Sequence, residues 1–509
     1  MSSRLLHPDE HELDSADSRG TLDLDELDFQ SSHSTLWPYF TRRRFTSPAR
    51  FWSSPYTGYH SLNSTRTAAG CPRPFRRLFF HAAVLISLVL FLLVLASIFF
   101  PSYTHPPPQY ALLRRAALAS REPGRANPFN ETVFLAASLY DGDGRLAGGE
   151  WGRRVLQLID LLGKDNVFLS IYENGGSNGD EALRGLESHV GCNKSLVFEE
   201  RVDLGILPTI TAPDGSRRIK RMDLLAEVRN RALKPLDEHP DLQYDKLLFL
   251  NDVVFDPVDA AQLLFSTNAT EHGRSRYRAA CAVDFVNPFK FYDTFATRDL
   301  HGYSMGVPFY PWFSNAGKAE SRSDVLAGKD AVRVRSCWGG MVAFDASFFL
   351  ANGQNPPVRF RSGQDMFWEG SECCIIHADI QDAPADVDAI TDTGIYMNPF
   401  VRIAYDTGTL SWLWTTRRFE KLYSPIHTIV NHLARMPPFN ARRTEIPGQL
   451  VNQVVWVVDE NAQKGGSFKE ITRASNNDGF CLHRALSVIN ENREKGEKGW
   501  EYLPAPAEP

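Results

Sequence analysis

Short apolar runs alternate with amphipathic stretches from about residue 130 onward. The runs read as buried strands and the stretches have the period of helices. In chain order the pattern predicts strands at 133–138, 167–172, 195–198 and 246–250 and helices at 148–163, 179–190 and 217–234. This alternation predicts an α/β fold, a mostly parallel sheet with helices on both faces. Ligands of such sheets bind beyond the carboxyl ends of the strands, which is where chemistry is expected.

One stretch, from Phe79 to Phe100, is apolar on every face and contains no Asp, Glu, Lys or Arg. As a helix it is about 33 Å long, which suffices to cross a bilayer. A buried core helix is the alternative. Arginines are denser before the stretch than after it, which predicts a cytosolic N-terminus and a lumenal C-terminal bulk, the type II topology.

The flanking composition divides the rest of the chain. Residues 1–78 are polar without sustained periodicity and predict a disordered cytosolic tail. Residues 101–129 contain three consecutive prolines and predict a stem. A folded domain is expected over 130–435, and 436–509 form a C-terminal extension of it with a strand at 451–458. The start of that extension, a basic segment, either folds back over the site or forms a surface loop.

Charge and cysteine content narrow the class of protein. The net charge of -6 over 509 residues argues against a nucleic-acid partner. Six of the seven cysteines follow the apolar span and could form up to three disulfides, with connectivity left open. Three sequons on the predicted lumenal side, at Asn130, Asn193 and Asn268, are candidate glycosylation sites.

Polar residues follow the first two predicted strands. The second strand ends in Glu173-Asn174 and runs into a glycine-rich turn. An acidic residue there can bind ribose hydroxyls or a base edge, and glycine lets the backbone approach a nucleotide. An ordinary polar turn is the alternative. The chain has neither GxGxxG nor GxxxxGK[ST], so dinucleotide and P-loop interpretations lose their main support.

The helix at 217–234 carries Arg229-Asn230. At helical spacing Arg229 falls on the same side as Met222 and Leu233. An arginine beside a core-facing stripe needs a partner. It either forms a structural salt bridge or reaches a nucleotide pocket with Asn230 next to it.

The fourth strand runs directly into Asn251-Asp252. These side chains place hard oxygen ligands at the carboxyl edge of the sheet, which suits a divalent cation that also binds substrate phosphates. A turn-forming Asn-Asp pair is the alternative.

Two later segments hold further candidates. Gly339-Gly340 before a strand offers a flat backbone surface for a sugar, with Trp338 able to stack on it; a tight turn with a core tryptophan is the alternative. Ser371 is a predicted N-cap that places Glu372 in the first turn of a helix. Glu372 either complements the helix dipole or faces the site.

The segments FLNDVVF, CWGGMVAFDA, SECCIIHADI and MNPFVRIAY together resemble the fungal cryptococcal-type (capsule-associated) alpha-1,3-mannosyltransferase family, glycosyltransferase family 69. The resemblance covers roughly residues 130–450. It implies a GT-A-like domain, a GDP-mannose donor, a mannose-containing glycan acceptor and retention at the anomeric carbon. It also implies a divalent metal, with Mn²⁺ expected, and a single-pass Golgi membrane enzyme.

The family's Asp-x-Asp metal motif has no literal counterpart, because Asn251 and Val253 stand at its acidic positions. Asp252 is therefore the metal candidate, and His377 is either a further ligand or a structural histidine. The expected roles form three groups. Glu173, Asn174, Arg229, Asn230 and Asn251 are expected to bind the nucleotide sugar, Trp338, Gly339 and Gly340 the sugar or acceptor, and Asp365 and Glu372 to face the sugar hydroxyls.

Two other functions stay open at the level of sequence. The weakened metal motif is compatible with a non-catalytic, membrane-anchored scaffold or carbohydrate-binding member. A transferase that uses another nucleotide sugar, such as a UDP-sugar, is the second alternative.

Overall fold

The computed structural model describes residues 73–175, 177–351, 356–459, 466–491 and 498–505. Among these residues, those up to Phe99 and those from Phe100 onward belong to two separate compact units. Most of the predicted cytosolic tail, residues 1–72, lies outside the described residues.

The first unit contains helix α1 (Arg73–Phe99). Its segment Phe80–Phe99 has a mean hydropathy of 3.0 and is long and apolar enough to cross a membrane. This helix agrees with the predicted span. Its orientation and the compartment on either side stay predictions.

The larger unit is built on strands and helices that follow the predicted order. The strands are β1 (Val133–Leu139), β2 (Val167–Glu173), β3 (Asn193–Phe198), β4 (Thr209–Thr211), β5 (Arg217–Ile219), β6 (Lys246–Leu250), β7 (Ala279–Phe285), β8 (Arg298–Asp299), β9 (Val332–Ser336), β10 (Met341–Asp345), β11 (Ile395–Ala404), β12 (Leu450–Val458), β13 (Gly466–Ala474), β14 (Ser487–Ile489) and β15 (Trp500–Tyr502). The helices after α1 are α2 (Pro108–Ala119), α3 (Glu150–Leu162), α4 (Ser177–His189), α5 (Arg221–Glu238), α6 (Pro257–Phe265), α7 (Glu320–Leu326), α8 (Glu372–Ile380), α9 (Thr407–Thr416) and α10 (Tyr423–Ala434).

Nine strands form the central sheet in the order β3-β2-β1-β6-β10-β7-β11-β9-β8. Strand β1 pairs in parallel with β2 and β6, and β7 pairs in parallel with β11. Strands β9 and β10 run against the others in this sheet. The predicted mostly parallel α/β sheet is therefore confirmed. Because β10 is reversed, its first residues lie at the same edge as the carboxyl end of β6.

The side chains of each central strand alternate between two cores, as strand geometry requires. In β1, Phe134 packs into one core and Leu135 into the other. Helices α5 and α8 contribute to the first core, and α3 and α6 to the second. Helices thus cover both faces of the sheet, as predicted.

The predicted helix at 217–234 begins late. Its first residues instead form β5, which pairs with β4 in an antiparallel hairpin. Helix α5 starts only at Arg221. The polar sequence before it, with a glycine at 215, forms the hairpin turn between β4 and β5.

Residues 101–129 do not form a free stem. Tyr103 is buried and donates a hydrogen bond to the carbonyl of Val325 over 3.0 Å. Helix α2 buries Tyr110, whose hydroxyl accepts a hydrogen bond of 2.7 Å from Asn398. Aromatic burial outweighs the extended preference of the prolines, so this segment packs onto the domain. These contacts differ from the extended stem that the prolines predict, and a role of 101–129 as a stem stays a prediction.

The C-terminal extension contains two hairpins, β12–β13 and β14–β15. The predicted strand at 451–458 is β12. Two disulfides form, Cys281–Cys337 and Cys374–Cys481, and the second ties α8 to the extension. Cys192 and Cys373 are buried and free.

The three sequon asparagines differ in exposure. Asn130 and Asn193 are exposed. Asn268 is half-buried, and its Nδ2, the atom that would carry a glycan, donates a hydrogen bond of 2.7 Å to the carbonyl of Arg276. The first two sites are therefore sterically better suited to modification, and occupancy stays a prediction.

Candidate active site

A cleft of about 360 Å³ opens at the carboxyl edge of the sheet. Residues that follow five parallel strands line it, in agreement with the general rule for such sheets. They are Tyr140 after β1, Asn174 after β2, Asn251 and Asp252 after β6, Tyr292 and Asp293 after β7, and Tyr405 after β11. Helices α5 and α8 form a second wall.

Two buried, opposite charges face this cleft from the two helices. Arg229 of α5 donates from Nε to Oε1 of Glu372 at the start of α8, over 2.9 Å. The arginine side chain is 12% exposed and the glutamate 2%. The second carboxylate oxygen of Glu372 is buried and has no hydrogen-bond partner among the described residues. That oxygen is an acceptor available to a ligand in the cleft.

Trp338 and Asn251 hold the arginine in place. The Arg229 guanidinium lies 4.5 Å from the centroid of the Trp338 ring. Oδ1 of Asn251 accepts hydrogen bonds from Nη1 of Arg229 and Nε1 of Trp338, each 3.3 Å long. Trp338 is 3% exposed. Because Arg229 covers its ring, Trp338 supports the arginine more than it offers an open stacking face.

Asp252 follows the carboxyl end of β6 and lines the cleft. Ser371 caps α8 on the opposite wall by accepting from the amide of Cys373. Burial raises the pKa of the Asp252 carboxyl above its ordinary value. Among the described side chains, none forms a hydrogen bond or salt bridge with this carboxylate. A half-buried carboxylate without a side-chain partner among the described residues gains from a nearby cation.

Asp293, in the loop after β7, is a second carboxylate in the cleft. Its Oδ2 accepts from the amide of Gly339 over 2.9 Å, and its Oδ1 accepts from the amide of Ala296 over 3.1 Å. Burial raises its pKa as well. Burial raises the pKa of the Tyr405 hydroxyl, and the negative charges of Asp252 and Asp293 contribute to the same rise. The sequence did not single out Asp293, because strand β7 ahead of it was not recognised.

The two glycines before β10 permit a close approach of backbone. Both have positive φ, 56° at Gly339 and 62° at Gly340. A Cβ at Gly339 would stand 2.1 Å from the carbonyl oxygen of Ala282, and the carbonyl of Gly340 accepts from the amide of Asn251. They join strands β6, β7 and β10 at the cleft floor. Neither lines the cleft, and a sugar-binding role for them stays a prediction.

Glu173 ties two strand-end loops together beneath the cleft. Its Oε1 accepts from the amides of Asp141 and Gly175, each over 2.7 Å. Burial raises the pKa of Glu173 to about 7. The next residue, Asn174, lines the cleft while Glu173 does not. The geometry thus gives Glu173 a local structural role, and its predicted contact with a nucleotide stays untested.

Two further predicted residues point elsewhere. Nδ2 of Asn230 donates a hydrogen bond to the carbonyl of Phe360, and Oδ1 of Asn230 accepts one from the Phe360 amide, each 2.9 Å long. Asp365 forms a 2.7 Å salt bridge with Arg442, outside the cleft. Arg442 belongs to the basic segment that was considered as a cover of the site. The structure therefore does not bring that segment or Asp365 to the cleft.

His377 is fully buried in α8, away from the cleft lining. Its Nδ1 lies 2.8 Å from the carbonyl of Cys373. Its nearest sulfur ligands, Cys281 and Cys337, are joined in a disulfide and cannot bind a metal as thiolates. Burial lowers the pKa of His377 to about 4. The surroundings are those of a structural histidine.

The C-terminal extension supplies one wall of the cleft, through Ile489, Gly499 and Trp500. Arg221, the first residue of α5, lines the same wall. The sequence pattern gave no sign of this wall, because β14 and β15 are three-residue strands without measurable periodicity. The position of so short a hairpin is set by its contacts with β5, which is distant in the sequence.

The architecture, a mostly parallel sheet with carboxylates at its carboxyl edge, is GT-A-like. Residues 132–379 match the family model described as Cryptococcal mannosyltransferase 1. This match covers just under half of the chain and confirms the resemblance of the motifs to the cryptococcal-type mannosyltransferase family. None of the curated proteins compared with the chain matches it.

Solved structures give likenesses of fold. A mannosyltransferase, PcManGT from Pyrobaculum calidifontis in complex with GDP-Man and Mn²⁺, is 13% identical with a TM-score of 0.32, over 68% of this chain and 75% of that chain. Mannosyl-3-phosphoglycerate synthase from Rubrobacter xylanophilus is 14% identical with a TM-score of 0.29, over 74% of this chain and 94% of that chain.

Proposed function

We propose that this protein transfers mannose from GDP-mannose to a mannose-containing glycan, in an alpha-1,3 linkage with retention and with the help of a divalent metal. The match of residues 132–379 to a mannosyltransferase family model supports the donor and the reaction class. The observation that carries the proposal is the pair of carboxylates, Asp252 and Asp293, in one cleft with the buried Arg229–Glu372 pair.

The cleft residues fit a divalent cation. The carboxylates that follow β6 and β7, the strands on either side of β10, are hard oxygen donors, and cations of this type complete their shell with phosphate oxygens and water. Asp252 has no described side-chain partner that would compete. Asp252 and Asp293 would hold the ion, which would supply charge neutralisation for the leaving diphosphate. Asp293 thereby becomes the second ligand that the sequence left unassigned.

The protein's own groups position and polarise the substrate. Arg229 brings positive charge to a largely buried part of the cleft wall, where charge acts more strongly than in water. Glu372 fixes the guanidinium with one oxygen and turns its second, unpartnered oxygen to ligand hydroxyls. No side chain is assigned as a nucleophile. Attack of the acceptor on the same face as the departing diphosphate, with a phosphate oxygen taking its proton, is compatible with retention.

We further infer the type II arrangement of a Golgi enzyme, anchored through α1 with Mn²⁺ as the working ion. Helix α1 is apolar enough to span a membrane. The two disulfides of the larger unit favour an oxidising compartment for that unit. This arrangement places the cleft in the lumen, where nucleotide sugars are consumed on glycan acceptors.

A donor screen tests the proposal. Full-length protein in detergent is incubated with GDP-mannose, UDP-glucose, UDP-galactose and UDP-xylose, each with Mn²⁺, and released nucleotide is measured. We expect GDP release from GDP-mannose and, with an oligomannose acceptor, a product whose new linkage is read by NMR. Release of nucleotide from a UDP-sugar alone would contradict the donor, and no release from any donor would contradict catalysis.

A further inference from the structure

A buried arginine on the C-terminal wall of the cleft has a guanidinium nitrogen without a hydrogen-bond partner in the part of the chain that the structure describes. Arg221 is 4% exposed, and its Nη1 is buried without a hydrogen bond among the described residues. The guanidinium lies 4.7 Å from the centroid of the Trp500 ring, its one close contact with a described ring. A guanidinium carries five N–H donors, and those on the buried Nη1 are unmet among the described residues.

The acidic residues near Arg221 are occupied by other groups. Glu372 pairs with Arg229 on the neighbouring turns of α5. Glu369 accepts hydrogen bonds from the amide of Ser487, over 3.2 and 3.1 Å to its two oxygens, and from the Ser487 hydroxyl. Their charges act on Arg221 from a distance only. The arginine is therefore not neutralised by a direct partner in the described part of the chain.

The wall is built to hold this cation in position. The edge of β5 meets the β14–β15 hairpin through a backbone bridge between Lys220 and Val488 and a 3.0 Å salt bridge between Arg218 and Glu501. A second cation, the Lys498 ammonium, lies 5.2 Å from the Trp500 centroid. Trp500 thus lies close to two cations, Arg221 and Lys498, while Asp252 and Asp293 supply negative charge elsewhere in the cleft.

We propose that Arg221, held against Trp500, is the receptor for an oxyanion of a ligand, a phosphate or carboxylate group, in the cleft. A planar guanidinium matches the two oxygens of such a group, which would satisfy the unmet donors. The group comes either from the diphosphate of the donor or from an acidic substituent of the acceptor. Arg221 lies inside the segment that matches the family model, whereas Trp500 lies outside it. The inference deepens the proposed function and rests on the same cleft.

The test measures binding to full-length protein in detergent by calorimetry. The probes are inorganic pyrophosphate, GDP with Mn²⁺, and mannose 6-phosphate added after saturation with GDP and Mn²⁺. The variants are Arg221→Gln and Arg221→Lys, and the matched control is Arg217→Gln, an exposed arginine four residues earlier on β5. Thermal unfolding checks that each variant is folded.

We expect Arg221→Gln to weaken one oxyanion probe by about tenfold or more, Arg221→Lys to weaken it less, and Arg217→Gln to leave it unchanged. Loss confined to pyrophosphate and GDP assigns the donor diphosphate, and loss confined to mannose 6-phosphate assigns an acidic acceptor. Unchanged binding of all probes in Arg221→Gln overturns the inference. If Arg221→Gln does not fold, wild-type affinity for every probe in Arg221→Lys overturns the inference, because lysine lacks the planar pair of N–H donors that matches an oxyanion.

The inference and the proposed function fail separately. Pyrophosphate binding that depends on Arg221, without turnover of any nucleotide sugar, keeps the oxyanion site and removes the transferase. Turnover of GDP-mannose at the wild-type rate and affinity in Arg221→Gln, with mannose 6-phosphate binding also unchanged, keeps the transferase and removes the oxyanion site.

Discussion

Arg229 and Glu372 lie 143 residues apart in the chain and meet in a buried salt bridge of 2.9 Å at the wall of the cleft. Each belongs to a different helix on the same face of the sheet. Neither charge could be buried alone without a large desolvation penalty. The pair therefore couples the folding of α5 and α8 to the shape of the candidate active site.

Breaking this pair from one side is expected to destabilise the protein strongly. Glu372→Ala leaves the Arg229 charge buried, and we expect a loss of about 3 to 5 kcal/mol in the free energy of unfolding. Chemical denaturation measures it. Glu227→Ala on the same helix, which removes the partly exposed partner of Arg231, is the control and should cost under about 1 kcal/mol. Equal losses in the two variants would contradict a buried, coupled pair.

The second carboxylate of the cleft is expected to be needed for metal binding. Asp293→Asn keeps the side-chain size and an acceptor for the amide of Gly339, but removes one negative charge. We expect Mn²⁺ affinity to fall by about tenfold or more, measured by electron paramagnetic resonance of free Mn²⁺. Unchanged Mn²⁺ binding would remove Asp293 from the proposed ligand set.

The strand–helix order and the edge that carries the cleft could be predicted because they follow from local patterns. Apolar runs such as 246–250 are buried strands, and polar residues after them must gather at one edge. Asp252, Arg229 and Asn251 were found in this way. Arg221 and Trp500 could not be found, since their juxtaposition depends on two hairpins that pair far apart in the sequence.

Two placements could not be read from the sequence, because tertiary contacts outweighed a local preference. The proline-containing segment after α1 was expected to be a spacer, but the burial of Tyr103 and Tyr110 fixes it to the domain. Asp365 carries no local sign that Arg442, 77 residues later, is its partner, and so its place outside the cleft is not readable from sequence.

The raised pKa of Glu173 predicts a pH-dependent stability. The folded protein keeps this proton up to a pH of about 7, whereas the unfolded chain releases it near the ordinary value of 4.5. The stability that Glu173 contributes is thus present below pH 4.5 and is lost as the pH rises through 7. As the pH rises from 5 to 8, we expect the free energy of unfolding of Glu173→Gln to increase by about 1 to 3 kcal/mol relative to that of the wild type.

Denaturation at a series of pH values measures this difference. Glu200→Gln, an exposed glutamate after β3, is the control and should track the wild type at every pH. A constant offset between Glu173→Gln and the wild type across the range would show that Glu173 does not titrate there.

The Cys374–Cys481 disulfide is expected to support the C-terminal wall. It closes a loop between residues 107 positions apart and joins α8 to the segment before β14. Cys481→Ala should cost about 2 to 5 kcal/mol in the free energy of unfolding. The buried, unpaired Cys192 provides the control, since Cys192→Ala removes a sulfur without opening a loop. A loss no larger than that of the control would contradict a structural role for the bridge.

The most direct test of the central claim is calorimetric titration of GDP into full-length protein, with Mn²⁺ and with EDTA. The variant is Asp252→Asn. The matched control is Asp245→Asn at the opposite end of β6, where the Asp245 carboxylate accepts a hydrogen bond from the amide of Thr132. The account predicts Mn²⁺-dependent binding in the wild type and in Asp245→Asn, with a loss of about tenfold or more in Asp252→Asn. Binding of GDP that is equally tight in EDTA and in Asp252→Asn would contradict a metal-assisted nucleotide site at this edge of the sheet.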